Sequence, residues 1–190
     1  MTTTETKFDA LLATFTGRAE PVGVQVSRIA RCDDAATWIA NLRAELAAPT
    51  AAVSSEVVAA APDLISALDV ADIPWFAPAD PQAAKDAPLG VSIAKLAVAE
   101  TGSVLLAEES LSARAVGLLS LAHVVICRTA DLVPSLEEAA TVLREIAVRP
   151  HGGYATLVTG PSRTADIELS LTIGVQGPAR VWVLFVDNLT

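Results

Sequence analysis

The chain has 190 residues, of which 52% are hydrophobic and 4% aromatic, and it carries a formal net charge of −9. This length suits a single domain spanning residues 1–190 with a full hydrophobic core, and the apolar content excludes an intrinsically disordered chain. The acidic balance argues against a nucleic-acid binder and against docking on an anionic membrane surface, because both need clustered Lys and Arg.

The two cysteines, Cys32 and Cys127, lie far apart in sequence and have no CxxC pattern. They cannot supply a zinc or iron–sulfur ligand set, so we expect no metal in this chain. The first residues lack the apolar stretch of a signal peptide, and no apolar run reaches the roughly 18 residues of a membrane span. The expected location is therefore the cytoplasm, without a membrane partner.

The N-terminal half alternates between helical and strand patterns. Phe8, Leu11, Leu12 and Phe15 have the spacing of an amphipathic face, which predicts a leading helix over 1–17. Strands are predicted over 22–27, 51–53 and 73–76, with helices between them. The order β-α-β-α-β is typical of an α/β fold with a mostly parallel sheet.

Residues 77–90 are rich in proline and alanine and are predicted to be a surface loop, either a lid or an ordinary connection. The next segment, 96–107, has two apolar runs around Glu100-Thr101-Gly102, which predicts a β-hairpin. Glu100 has small apolar neighbours. Its carboxylate either faces solvent at a strand end, or points inward and needs a partner or a raised pKa.

The C-terminal half predicts a helix that begins at Ser110, a buried strand over 123–127 and a strand over 154–159. His123 begins the buried strand and is interpreted as a structural residue. Ser135 and Glu138 have the spacing of a capping box at the start of another helix.

Two glycine–proline bends enclose the most distinctive stretch of the chain, with Gly160-Pro161-Ser162 at one end and 174–178 (GVQGP) at the other. The alternation over 167–173 favours a strand, with a short helix as the open alternative. Such bends can present backbone N–H groups and hydroxyls to an anion, although they are also common as plain turns. The candidate ligand-binding residues are Glu100, Thr101, Gly102, Gly160, Ser162, Arg163, Thr164, Asp166, Gly174, Gln176 and Gly177.

Familiar catalytic signatures are missing. The sequence has no dinucleotide fingerprint, no Walker A loop, no nucleophile elbow and no HExxH zinc motif. The residue types alone therefore specify no reaction, and no residue is assigned as catalytic.

Four segments, AVAETGSVLL, HVVI, TGPSRTADIE and GVQGP, occur in the order and at the spacing found in a known family. They resemble the LUD domain family, and within it the group of lactate-utilization protein C, most clearly over about residues 90–187. The resemblance implies a three-layer α/β fold of the NagB/RpiA/CoA-transferase-like class. The family's last motif usually has histidine where this chain has Gln176, and glutamine cannot titrate near neutral pH.

The resemblance also implies a role in the oxidation of L-lactate beside iron–sulfur partner proteins, which would hold the redox cofactors. In this hypothesis the bends and Glu100 line a pocket for a small carboxylate or phosphate. Arg163 pairs with the anion, Ser162 and Thr164 donate hydrogen bonds, and Asp166 orients a donor. Two alternatives stay open: a stand-alone enzyme on a small phosphorylated or CoA-linked acid with Glu100 as base or nucleophile, and a non-catalytic binding or regulatory module. An oligomer is compatible with each.

Overall fold

The structure is a computed structural model that describes residues 3–149, 153–164 and 172–189, and of residues 3–7 it describes the backbone. Its α-helices are α1 (Thr3–Ala19), α2 (Cys32–Glu45), α3 (Ser55–Ala60), α4 (Pro62–Val70), α5 (Leu111–Leu119) and α6 (Leu136–Ala147). Its strands are β1 (Val24–Arg31), β2 (Ala51–Val53), β3 (Trp75–Phe76), β4 (Gly90–Ile93), β5 (Leu96–Val98), β6 (Ser103–Leu106), β7 (Ala122–Arg128), β8 (Leu132–Val133), β9 (Thr156–Val158), β10 (Arg163–Thr164), β11 (Thr172–Ile173) and β12 (Arg180–Asn188).

A six-stranded parallel sheet forms the centre of the fold, with the strand order β1-β12-β7-β4-β2-β3. Val183 of β12 is in register with Val26 of β1 and Val125 of β7. Successive residues of β12 enter opposite faces of the sheet: Leu184 packs in one core and Phe185 in the other. Burial on both faces explains why β12 is continuously apolar from Val181 to Val186 rather than alternating. The predicted α/β class and mostly parallel sheet are confirmed.

Helices α2, α3 and α4 cover one face of this sheet, and α1, α5 and a second sheet cover the other. The first core lies beneath α2, α3 and α4. The second contains Phe15 of α1 together with residues of β5 and β6. A four-stranded sheet, β8-β5-β6-β9, separates this second core from α6. The predicted hairpin is confirmed, because β5 and β6 are antiparallel and Val98 pairs with Ser103.

Several segments differ from the sequence interpretation. Strand β4 has no counterpart among the predicted elements, because four consecutive buried residues give no periodic signal. The segment 77–90 is more than a surface loop: it contains a 3₁₀ turn at Pro81–Ala84, and Ala84 and Leu89 are fully buried. The question of strand or helix over 167–173 falls largely outside the described residues. Of that segment, Thr172 and Ile173 pair antiparallel with Arg163 and Thr164.

No helix in the described part of the chain is both long and apolar enough to cross a membrane.

Candidate functional site

The two most specific sequence motifs lie side by side. Strand β6 follows the Glu100-Thr101-Gly102 turn, and β9 leads into the bend at Gly160. These strands pair antiparallel, and the hydroxyls of Ser103 and Thr159 are 2.9 Å apart across 56 positions of sequence. The fold therefore brings together two motifs that are distant along the chain.

Residues of both motifs lie in close contact with the segment that connects α1 to β1. Gly102 has a φ of +67°, and a Cβ atom on it would lie 2.7 Å from the backbone nitrogen of Ala19. A Cβ on Gly160 would lie 3.0 Å from the carbonyl oxygen of Val22. Arg163 donates a hydrogen bond of 2.7 Å from Nη2 to the same carbonyl oxygen. The two motifs therefore pack against the C-terminal end of α1 and the residues that follow it.

Glu100 faces solvent and caps a helix. Its Oε2 atom accepts a hydrogen bond of 3.1 Å from the backbone N–H of Leu136, the first residue of α6. The helix start at Ser135 is confirmed, but the predicted capping box is wrong, because the Ser135 side chain makes no capping hydrogen bond. The helix is capped instead by the Glu100 carboxylate, which belongs to the turn between β5 and β6. Beside it, the hydroxyl of Thr101 is buried and has no hydrogen-bond partner among the described residues.

Ser162 ties the two glycine–proline bends together. Its backbone N–H donates to the carbonyl oxygen of Pro178, and its own carbonyl oxygen accepts from Gly174 N–H, both at 3.0 Å. Its hydroxyl oxygen accepts from the backbone N–H of Gln176 at 3.3 Å. Gly177 has a φ of +140°, and a Cβ there would lie 3.2 Å from the Ser162 Cβ. The two bends therefore form one structural unit.

The second bend lines a cavity of about 430 Å³, which we call the bend cavity. Its walls are residues 174–177 of the bend, residues 118–121 at the end of α5, and Lys85 with Asp86. Lys85 supplies a positive charge, and the sequence interpretation missed it because it belongs to the segment taken as a surface loop. The sequence-predicted residues Gly174, Gln176 and Gly177 line this cavity.

The remaining predicted residues lie elsewhere. Glu100, Ser162 and Arg163 are not among the residues that line the bend cavity. Thr164 pairs with Thr172 in a short two-stranded ladder, and Asp166 lies outside the described residues. In the described part of the chain, the residues predicted to form one pocket thus lie in three places. Glu100 caps α6, Arg163 contacts the Val22 carbonyl, and the glycines of the second bend line a cavity.

A buried carboxyl group, Glu108, was missed by the sequence interpretation. It is 3% exposed, and its Oε1 atom accepts a hydrogen bond of 2.8 Å from the Ser92 hydroxyl. Burial raises the pKa of Glu108 to about 7, and the nearby Glu56 carboxylate adds to the rise, while the hydrogen bond from Ser92 and the charge of Arg114 oppose it. Its only sequence signal is that it ends the apolar run 104–107.

Ser54 lies next to this pair at the carboxyl end of β2. Val53 is in register with Val91 of β4, and both enter the core beneath the helices. Because side chains alternate along a strand, Ser54 and Ser92 emerge together on the opposite face. The Ser54 hydroxyl is fully buried and lacks a hydrogen-bond partner within the described residues. We call Ser54, Ser92 and Glu108 the buried polar cluster.

Another cavity, of about 420 Å³, is lined by residues that follow β2, β4 and β6 along the chain, and we call it the edge cavity. Ser54, Ser92 and Glu108 are not among its lining residues. The edge cavity lies at the carboxyl ends of the parallel strands, where α/β sheets commonly bind ligands. The polar residues that line it are Ser55, Glu56, Lys95, Glu109 and Ser110. Ser55 and Glu109 each follow a member of the buried polar cluster along the chain.

His123, interpreted from the sequence as a structural residue, lies enclosed at the start of β7, and its Nε2 atom has no hydrogen-bond partner among the described residues. It is 1% exposed, and burial lowers its pKa to about 4. A Cβ on Gly117 of α5 would lie 3.1 Å from the imidazole Cε1 atom, so the helix passes close over the ring. A neutral, enclosed imidazole of this kind packs the helix against the sheet.

Comparisons with known proteins agree on one family. A family model described as the LUD domain matches residues 12–186. Lactate utilization protein C 1 of Bacillus mycoides is 34% identical over 107 residues, which cover 55% of this chain and 46% of that protein. Lactate utilization protein C of Bacillus subtilis is 30% identical over 110 residues, covering 55% and 45%. The chain thus spans about half the length of these curated relatives.

A solved structure has the same fold. The crystal structure of a DUF162 family protein from Deinococcus radiodurans superposes with a TM-score of 0.65 at 17% identity, covering 95% of this chain and 98% of that one. At this identity the likeness concerns the fold alone. The match over 12–186 takes in both bends, the hairpin and the central sheet, and the chain belongs to the LUD domain family.

Proposed function

We propose that the chain is a subunit of an L-lactate-utilization system and works beside iron–sulfur partner proteins. One observation carries this proposal: the LUD domain match over 12–186 occurs together with relatives named lactate utilization protein C. The two cysteines are consistent with iron–sulfur clusters being held by the partner proteins, because Cys32 and Cys127 are buried thiols in two different cores. The redox centres would then be supplied by the partners.

The same proposal includes a small carboxylate or phosphate ligand at the joined bends. Two cations support this. Lys85 lines the bend cavity, and the exposed Arg163 lies on the first bend, where its guanidinium reaches the Val22 carbonyl with one nitrogen. A guanidinium has five N–H donors, so most of them stay available for an anion.

The test of the subunit role is co-purification. The tagged chain is isolated from cells grown on L-lactate and from cells grown on glucose, with a chemical cross-linker added before lysis. We expect iron–sulfur proteins to be recovered with the chain, and more of them from lactate-grown cells. Recovery of the chain alone from both cultures, even after cross-linking, would contradict the subunit role and favour a stand-alone enzyme.

The test of the bend ligand is calorimetric titration with inorganic phosphate. Arg163→Ala should weaken binding about tenfold or more, because a charge-assisted hydrogen bond contributes about 1.5–3 kcal/mol. Arg31→Ala is the matched control, since Arg31 is also exposed and pairs with Asp33 on a different part of the surface. Equal affinity in the Arg163 variant and the wild type would remove Arg163 from the site.

A further inference from the structure

We propose that two copies of this chain form a two-fold symmetric dimer through exposed apolar side chains at the bend cavity. These side chains, which we call the leucine patch, are Leu118, Leu119, Leu121 and Val175. The inference goes beyond the proposed function and does not rest on it, because it is argued from the described residues alone.

The first argument is an inverted polarity at the end of α5. Leu119 and Leu121 are 42% and 55% exposed, whereas Ser120 between them is buried and donates its hydroxyl hydrogen to a carbonyl oxygen of the same helix. Leu118 and Val175 are 48% and 46% exposed on the walls of the same cavity. Single apolar side chains are ordinary on a protein surface, but four around one concavity indicate contact with another protein.

The second argument is that hydrogen bonds fix the leucine patch within one chain. The backbone N–H of Asp86 donates to the carbonyl oxygen of Leu119 at 3.1 Å. The N–H of Leu121 donates to the carbonyl oxygen of Ala87 at 2.9 Å, and its own carbonyl oxygen accepts from Ala179 N–H, also at 2.9 Å. Three segments of the chain therefore hold the patch in shape. A preorganised surface loses less conformational entropy when it binds.

The third argument is charge, which selects a second copy as the occupant. Among the described residues, Lys85 and Asp86 are the only charged ones that line the bend cavity, so their charges cancel there. The chain as a whole carries a net charge of −9, and a net charge of this size opposes self-association. Contact between two copies therefore requires a locally neutral surface such as this one.

A two-fold axis makes these two charges complementary to themselves. Contacts in such an interface are reciprocal, so Lys85 of each copy faces Asp86 of the other while the leucines pack between them. Both side chains are exposed, and neither forms an ion pair with another described residue. A lysine ammonium has three N–H donors, so this pairing leaves Lys85 able to contact an anion in the cavity.

The experiment is sedimentation velocity on the full chain, from about 1 µM to about 100 µM, a range suited to a micromolar Kd. The wild type should move from 19.6 kDa towards twice that mass as its concentration rises. Leu121→Glu puts a negative charge on both contacting patches and should raise the dimer Kd about tenfold or more. Far-UV circular dichroism checks that each variant is folded.

Leu111→Glu is the matched control for this variant. Leu111 is 67% exposed at the other end of α5 and does not line the bend cavity, so its substitution should leave the dimer Kd unchanged. A wild type that stays monomeric at about 100 µM overturns the proposal. A dimer that both variants weaken equally also overturns it. If the wild type is monomeric and Leu121→Glu releases a co-purified protein, the patch belongs to a different partner and the proposal is again wrong.

A mixing experiment tests the reciprocal pairing of charges. Lys85→Glu leaves two acidic side chains at the patch, and Asp86→Lys leaves two basic ones, so each variant alone should dimerise more weakly than the wild type. An equimolar mixture of the two should recover dimers, because opposite charges then face each other. A mixture that stays as monomeric as its components would contradict the two-fold contact.

Discussion

At the scale of single residues, two glutamates that follow short strands have opposite environments. Glu100 is exposed and accepts a hydrogen bond from the start of α6. Glu108 is buried and accepts one from Ser92. The sequence drew attention to Glu100 because its neighbours are small and apolar. Which acid is buried depends on the elements that pack over each strand end, and local sequence does not specify those contacts.

Replacing Glu108 by glutamine tests the cost of its ionisation. The folded-state pKa of about 7 lies above the ordinary 4.5, so the folded protein holds this proton more tightly than the unfolded chain. The group therefore destabilises the fold progressively as the pH rises from about 4.5 to 7, by about 3 kcal/mol at most. Urea unfolding should therefore show the wild type losing stability relative to Glu108→Gln over this pH range. The lowered pKa of His123 contributes with the opposite sign, but equally in both proteins. Parallel pH profiles for the two proteins would contradict the raised pKa.

Substitution of Glu100 tests its role as a helix cap. Glu100→Ala removes the acceptor for the Leu136 N–H and should lower the free energy of unfolding by about 1 kcal/mol. Glu100→Gln keeps a carbonyl oxygen at the same position and should lose less. Chemical denaturation of the three proteins gives the comparison. If the alanine variant were as stable as the wild type, the cap would contribute nothing measurable.

At the scale of elements, regular patterns were predictable and short buried ones were not. Strand β2 occupies the predicted residues 51–53, and α4 begins at the predicted Pro62. Strand β4 gives no alternation because all four of its residues are buried. The pairing of the motif strands β6 and β9 was not predictable either, since it depends on contacts between segments distant in sequence.

The tight contact between the hairpin turn and α1 predicts a strong effect of Gly102→Ala. Position 102 has a positive φ, and the added methyl group would collide with the backbone at Ala19. We expect the free energy of unfolding to fall by about 2 kcal/mol or more.

Gly17→Ala is the control for this substitution. Gly17 lies within α1, and outside the helix's own backbone no atom of the described residues lies within 4 Å of a Cβ added there. Alanine should therefore stabilise the helix by about 0.5–1 kcal/mol. Thermal unfolding of both variants measures the contrast, and a Gly102 variant as stable as the wild type would contradict the close approach.

At the scale of the whole molecule, the bend cavity and the edge cavity lie at separate places in the described part of the fold. The bend cavity lies beside the end of α5, and the edge cavity lies at the carboxyl ends of β2 and β4. Of the residues that the sequence interpretation placed in one pocket, Gly174, Gln176 and Gly177 line the bend cavity, whereas Glu100, Ser162 and Arg163 do not. The sequence interpretation missed the buried polar cluster, because Ser54, Ser92 and Glu108 come from three distant segments. The fold class and the family could be predicted from the sequence. The strand order could not, because the last strand, β12, pairs between β1 and β7, which are distant from it in sequence.

The central claim, a role in L-lactate utilization, is tested most directly by growth. The organism that encodes the chain is grown on L-lactate as sole carbon source, with and without the gene, and in parallel on glucose. The account predicts that the deletion strain fails to grow on L-lactate, grows normally on glucose, and recovers when the wild-type gene is restored. Equal growth of both strains on L-lactate would contradict the account.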